Sequence, residues 1–175
     1  DKDGQDGGYR HYQIAGASHV GTRGPAADAL KAYGTLDSLG PDAEPSTFPH
    51  NEILSPANAF LIDWVVKDIA PPEEAPLVVE EGKILRDENG IAKGGVRSPY
   101  VDVPTVRYIA SIPPEGSLFG LEEPIAVEKL RALYGSREAY LQKFGAQIDK
   151  MAKSGWLFAD DAAKLKQEEA AGPLF

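Results

Sequence analysis

The stretch Tyr9-Arg10-His11-Tyr12-Gln13-Ile14-Ala15-Gly16-Ala17-Ser18-His19 constrains this chain more than any other part of it. Residues 9–14 alternate Tyr9, His11 and Gln13 with Arg10, Tyr12 and Ile14, between glycines, and are predicted to form a β-strand. A tight glycine turn follows and leaves His19 on an exposed loop. One strand cannot stand alone. The clearest other element in residues 1–70 is a helix over about 56–69, and one strand with one helix cannot cover both faces of a sheet. The chain is therefore expected to need an upstream N-terminal part, in the same chain or a second one. Its polar, Gly-rich start, Asp1 to Gly8, reads as a loop cut open, as in a piece of a longer protein.

Residues 20–55 form a long irregular segment punctuated by Gly21, Gly24, Pro25, Gly34, Gly40, Pro41, Pro45 and Pro49, with a short helix from Ala26 to Tyr33. Loops of this length in a compact domain are usually functional or disordered, and one beside a catalytic base would wall its site. Ser55 as N-cap and Pro56 at the first helical position open the 56–69 helix. Phe60, Leu61, Trp64, Val65 and Ile69 form its apolar stripe, and Pro71-Pro72 stops it. Composition shifts at Pro71–Pro76, which reads as a boundary. A hairpin over 77–86 turns at Glu81-Gly82, and Asp87-Glu88-Asn89-Gly90 is a second turn. Residues 94–104 read as extended and lead into a strand at 105–110. The last third is helical, in three runs: from Pro124, from a Ser136 cap to about Gly155, and over about 160–171.

Composition narrows the function. The chain has 175 residues, 18 basic against 27 acidic, for a net charge of −9. The basic residues are dispersed among acids, so no patch suits nucleic-acid phosphates. There is no cysteine, which excludes disulfides, thiolate zinc sites and a Cys nucleophile and leaves the compartment open. No apolar run approaches the roughly 18 residues of a membrane span. The three histidines have no metal-ligand spacing, and neither a metal nor a cofactor is implied.

His19 reads in two ways. After a strand and a glycine turn, it can reach a nucleophile on another loop as a general base; it can equally be a surface histidine. His50, between Pro49 and Asn51, is a surface-loop residue or a pocket residue near His19. Arg97 and Asp102 form a structural ion pair or contact a substrate, and Tyr100 between them lines a pocket on the same argument.

The run Tyr12 to His19 resembles the histidine loop of the bacterial α/β-hydrolase-domain proteins, a serine esterase-like family. Similar segments follow in order: Asn51 with the helix ending Asp63-Trp64-Val65-Val66-Lys67, then Arg86 to Gly90 and Gly94 to Pro104, then Leu118-Phe119-Gly120 and Leu130 to Tyr134. The resemblance covers about residues 9–171. It implies a Ser nucleophile on an elbow, an acid and a His, in that chain order. Only the His has a counterpart here, His19. The chain contains no Gly-x-Ser-x-Gly, so nucleophile, acid and oxyanion hole would lie upstream.

The expected fold is α/β: the C-terminal part of an α/β-hydrolase in residues 1–70, and an α+β, mainly helical extension in 71–175. Residues 9–14 would be the last strand of a mostly parallel sheet. The expected function is hydrolysis of a small ester-like substrate, with His19 as base, by a chain inactive without its upstream part. The rival reading is a non-catalytic interaction or regulatory module.

Overall fold

The computed structural model describes residues 8–32, 39, 43–110 and 118–172. The polar start up to Gly7, and Tyr33, Gly34, Gly40 and Pro41 of the long segment, lie outside the described residues. In chain order the elements are α1 (Pro25–Ala32), α2 (His50–Lys67), β1 (Val79–Glu80), β2 (Lys83–Ile84), α3 (Pro99–Asp102), β3 (Val106–Ile109), β4 (Leu121–Pro124), α4 (Val127–Tyr134), α5 (Arg137–Lys153) and α6 (Ala159–Ala171). The composition is mixed α and β. The sheets among the described residues are two antiparallel pairs, β1 with β2 and β3 with β4.

The strand expected over residues 9–14 is absent. Ile14 makes one parallel bridge to Val96, in which Ala15 N–H donates to Val96 O at 3.1 Å and Val96 N–H to Gln13 O at 2.7 Å. A strand exists through its ladder, and this one has a single rung. Side chains fix the segment instead, against the proline-rich stretch after α2. Tyr12 Oη donates to Pro72 O at 2.6 Å, Arg10 Nε donates to Pro71 O at 3.3 Å, and Gln13 Oε1 accepts from Leu77 N–H at 2.7 Å.

α2 begins six residues before the Ser55-Pro56 start that local signals favour, and it carries Pro56 inside. An interior proline removes one helical bond and crowds the preceding turn, at about 3 kcal/mol. The first turn is held by tertiary contacts that outweigh this. Ile53 is wholly enclosed, Glu52 is buried, and the His50 ring is bonded on both sides. The helix stops as expected before Pro71, with Asp68 left-handed at its C-cap.

The hairpin turns at Glu81 and Gly82, both at positive φ, the geometry of a two-residue primed turn. Asp87 Oδ1 accepts from Asn89 N–H and Ile91 N–H and closes the next turn. Residues 99–102 are not extended but form the helical turn α3, because Pro99 sits at its first position after an extended Ser98. β4, which pairs with β3 from Val106–Pro124 to Ile109–Leu121, has no strand-like pattern in the sequence, since two of its four residues are Glu. In α5 the Ser136 hydroxyl accepts from Ala139 N–H at 3.2 Å, and Tyr140, Phe144, Ile148 and Met151 are buried, as their spacing predicts.

The core is shared along the chain. Ala15, Phe48 and Ile53 belong to the same buried cluster as Val101, Phe144, Ile148, Trp156 and Leu165. α5 packs on α6 and on α3, and Trp156 meets Tyr12 and Phe60 edge-on at 4.8 and 5.1 Å. α2 is less well covered. Phe60 packs on the cluster, while Leu61, Ile62, Val65, Val66 and Ile69 are 55–78% exposed.

Candidate functional site

His19 stands exposed on a loop whose backbone is tied on both sides. The preceding residue, Ser18, is buried, and its hydroxyl donates to Val20 O at 3.0 Å. Val20 N–H donates to Leu118 O at 2.9 Å, and Val20 bridges Phe119 in parallel. Among the described residues none hydrogen-bonds the His19 ring, so it is free to meet a group brought from elsewhere. It overlooks a cleft of about 650 Å³ lined by residues 20–24, 48–54 and the inner side of α6.

His50 forms the floor of that cleft rather than a contact surface. It is 7% exposed, with Nδ1 3.0 Å from Phe48 O and Nε2 2.9 Å from Ser18 O. Carbonyls only accept, so a ring nitrogen bonds the carbonyl it faces by donating the proton it carries. The imidazole thus staples the loop carrying His19 to the N-terminus of α2. Gly21 makes room for it: a Cβ there would stand 3.0 Å from His50 Cγ.

Four charged side chains complete the cleft. Arg23 pairs with Glu168 of α6, and Lys164 Nζ, one turn earlier on α6, lies 2.7 Å from Glu52 Oε1 of α2. Burial works to raise the Glu52 carboxyl, but the Lys164 hydrogen bond and charge, its own backbone N–H and Arg23 hold it below its ordinary value. Burial likewise opposes the charge on Arg23, yet Tyr100, Glu168 and Glu52 hold its guanidinium above the usual range. The Arg23 Cζ lies over the Tyr100 ring, 6.0 Å from its centroid. Tyr100 meets Phe144 edge-on at 5.2 Å and Phe48 at 6.5 Å; burial pushes its hydroxyl up to about 12, against the pull of Arg23.

The structure therefore brings His19 and His50 to one cleft and reaches Tyr100 through Arg23. Arg97 and Asp102 lie elsewhere. They pair with each other, Arg97 also donates to Ala92 O at 2.6 Å, and both line a separate cavity of about 330 Å³ with Glu74, Ser98, Lys150 and Trp156. Arg23, Glu52, Lys164 and Glu168 are absent from the site residues that the sequence suggests. The only local trace is the i, i+4 spacing of Lys164 and Glu168 on one helix. Among the described residues no group of His, Asp and Glu could hold a metal ion, and no helix is long and apolar enough to cross a membrane.

An exposed histidine on a braced loop beside a cleft is an arrangement found in hydrolases. A family model described as an alpha/beta hydrolase domain matches residues 1–167. The chain belongs to that alpha/beta hydrolase domain family. No curated protein and no solved structure matches it significantly.

Proposed function

We propose that this chain is the C-terminal, base-carrying part of a serine-type hydrolase of carboxylic esters. The observation that carries the reading is His19: exposed, without a ring partner among the described residues, and on a loop held by His50 and Leu118 beside a cleft large enough for a small ester. In this reading the nucleophilic Ser, the acid and the oxyanion hole come from an upstream part of the same hydrolase. His19 takes the proton from the Ser hydroxyl as its oxygen attacks the ester carbonyl. It returns that proton to the departing alkoxide, and in the second half-reaction it activates water against the acyl-enzyme.

The uncovered face of α2 supports the same assignment. Leu61, Ile62, Val65 and Val66 lie on one side of the helix, with Ile69 just past its end, and a sheet packed there would remove them from water. That face also favours a second reading, a non-catalytic module that docks an unrelated partner through α2. Intact mass and turnover of a short p-nitrophenyl ester separate the two. Hydrolysis by a longer chain or two-chain species, reduced about 10³-fold or more by His19→Ala with folding intact, supports the hydrolase. Near-normal turnover of that variant refutes the role of His19, and a stable, inactive species of this chain's mass alone favours the module.

A further inference from the structure

We propose that Arg23 anchors an anionic group of the substrate, so that the cleft selects esters carrying a free carboxylate near the scissile bond, such as hemiesters of short dicarboxylic acids. The proposal rests on the hydrolase reading of His19 and specifies the substrate class for that cleft.

Arg23 shares the cleft with His19, on the same loop four positions further along. Its Cζ lies over the Tyr100 ring, 6.0 Å from the centroid, and Tyr100 is itself wedged against Phe144 and Phe48. A guanidinium is the side chain whose N–H donors best suit a carboxylate. Its donors are not used up. The Nη1 group is enclosed and has no hydrogen-bond partner, while Nη2 meets Glu168, a carboxylate whose side chain is 42% exposed. A surface pair of that kind contributes little and is readily exchanged. The other acid of the cleft, buried Glu52, is hydrogen-bonded by Lys164 and acts on Arg23 through its charge alone. Lys164 spends one of three N–H donors on Glu52 and adds a second positive charge on the α6 wall. A ligand carboxylate that displaces Glu168 would therefore take over its bond to Arg23 Nη2, with the Lys164 charge nearby. Arg97, in the other cavity, offers no such vacancy: its three nitrogens bond Asp102, Ala92 O and Val101 O.

The test combines binding with turnover in the complete hydrolase. Succinate is titrated calorimetrically, with succinamide as the neutral control, and kcat/KM is measured for p-nitrophenyl hemisuccinate and p-nitrophenyl butyrate. Succinate is expected to bind and succinamide not. Arg23→Gln should weaken succinate by at least about ten-fold and lower the hemisuccinate-to-butyrate preference by a similar factor, mainly through KM. Arg23→Lys, which keeps the charge without the fork, should fall between. Glu168→Gln should tighten succinate by about three-fold, because it removes the competing carboxylate; a purely structural Arg23–Glu168 pair predicts the opposite sign. Equal binding of succinate and succinamide, no effect of Arg23→Lys, or weaker binding in Glu168→Gln would overturn the proposal, and the last two hold even if Arg23→Gln fails to fold. Turnover of butyrate with no preference for hemisuccinate overturns the substrate class alone. Turnover of neither ester overturns the hydrolase reading, and the titration then decides the anion site by itself.

Discussion

Replacing His50 by alanine is expected to destabilise the chain by about 3 kcal/mol, and the size follows from where its two bonds go. Phe48 O keeps a donor when the ring is lost, because His50 N–H reaches it at 2.8 Å. Ser18 O has no other donor among the described residues and would be left orphaned beside a buried side chain, at about 1–3 kcal/mol. The ring also meets Phe48 edge-on at 5.3 Å, a contact of about 0.5–1.5 kcal/mol, and its removal empties space under Gly21. Urea unfolding followed by tryptophan fluorescence and circular dichroism measures the loss. A loss below about 1 kcal/mol would refute the staple. The reverse perturbation sharpens the test. Gly21→Ala places a Cβ 3.0–3.1 Å from two ring atoms of His50, Cγ and Nδ1, and from its Cβ, and should cost about 1–3 kcal/mol by overpacking. In the His50→Ala background both ring contacts are gone and only the one to Cβ at 3.1 Å remains, so the same substitution should cost less. The double-mutant cycle must therefore show coupling of about 1 kcal/mol or more; strict additivity would mean that the ring does not occupy this position.

Three further outcomes are expected. Gly16→Ala, at φ +86° with a Cβ 2.8 Å from Val101 Cγ1, should destabilise by more than about 2 kcal/mol in the same unfolding assay. Phe144→Ala empties the centre of α5 and should cost about 3–5 kcal/mol, whereas Ser136→Ala should cost only about 1 kcal/mol through the lost cap. Glu52 is held below its ordinary 4.5, so it binds its proton more readily unfolded than folded; the stability it contributes is complete above that value and disappears as pH falls through the folded one. The stability difference between wild type and Lys164→Met should accordingly shrink below about pH 4.5 in acid-unfolding curves, and a difference constant with pH would contradict the pairing.

What the sequence reveals and what it conceals divide along the range of the interactions. The α5 cap and stripe, the Glu81-Gly82 turn and the Asp87 turn are decided within a few residues, and each is found where local signals place it. The helical run of residues 50–55 is different: Pro56 argues against it locally, and burial of Ile53 with the double bonding of His50 overrides that argument. The 9–14 strand fails for the converse reason, since alternation signals a face but not a partner to build a ladder on. The charged walls of the cleft were least accessible. Arg23 and Glu168 lie 145 positions apart, Glu52 and Lys164 112 apart, and nothing in either neighbourhood specifies its companion. The exposure of His19 agrees with the glycine turn before it, whereas the bonds that hold its loop, from His50 to Ser18 O and from Val20 to Leu118 O, join distant parts of the chain.

The exposed face of α2 gives the family assignment a physical consequence that activity assays do not supply. Taking a Leu, Ile or Val side chain out of water is worth about 1.5–3 kcal/mol, and five of them are more than half exposed here. If an upstream sheet covers that face, it gains several such terms, and charges placed there must be buried or must force the parts asunder. Val65 and Val66, at 78% and 72% exposure, contribute almost nothing to the fold of this chain itself. Val65→Lys with Val66→Lys should therefore leave its unfolding midpoint within about 1 °C or raise its solubility, since exposed substitutions seldom exceed ±0.5 kcal/mol. In the complete hydrolase the same pair should lower stability by about 3 kcal/mol or more, through lost burial alone. Equal, negligible effects in both would mean that α2 faces water in the whole protein, and the uncovered helix would then belong to a docking module and not to the catalytic domain.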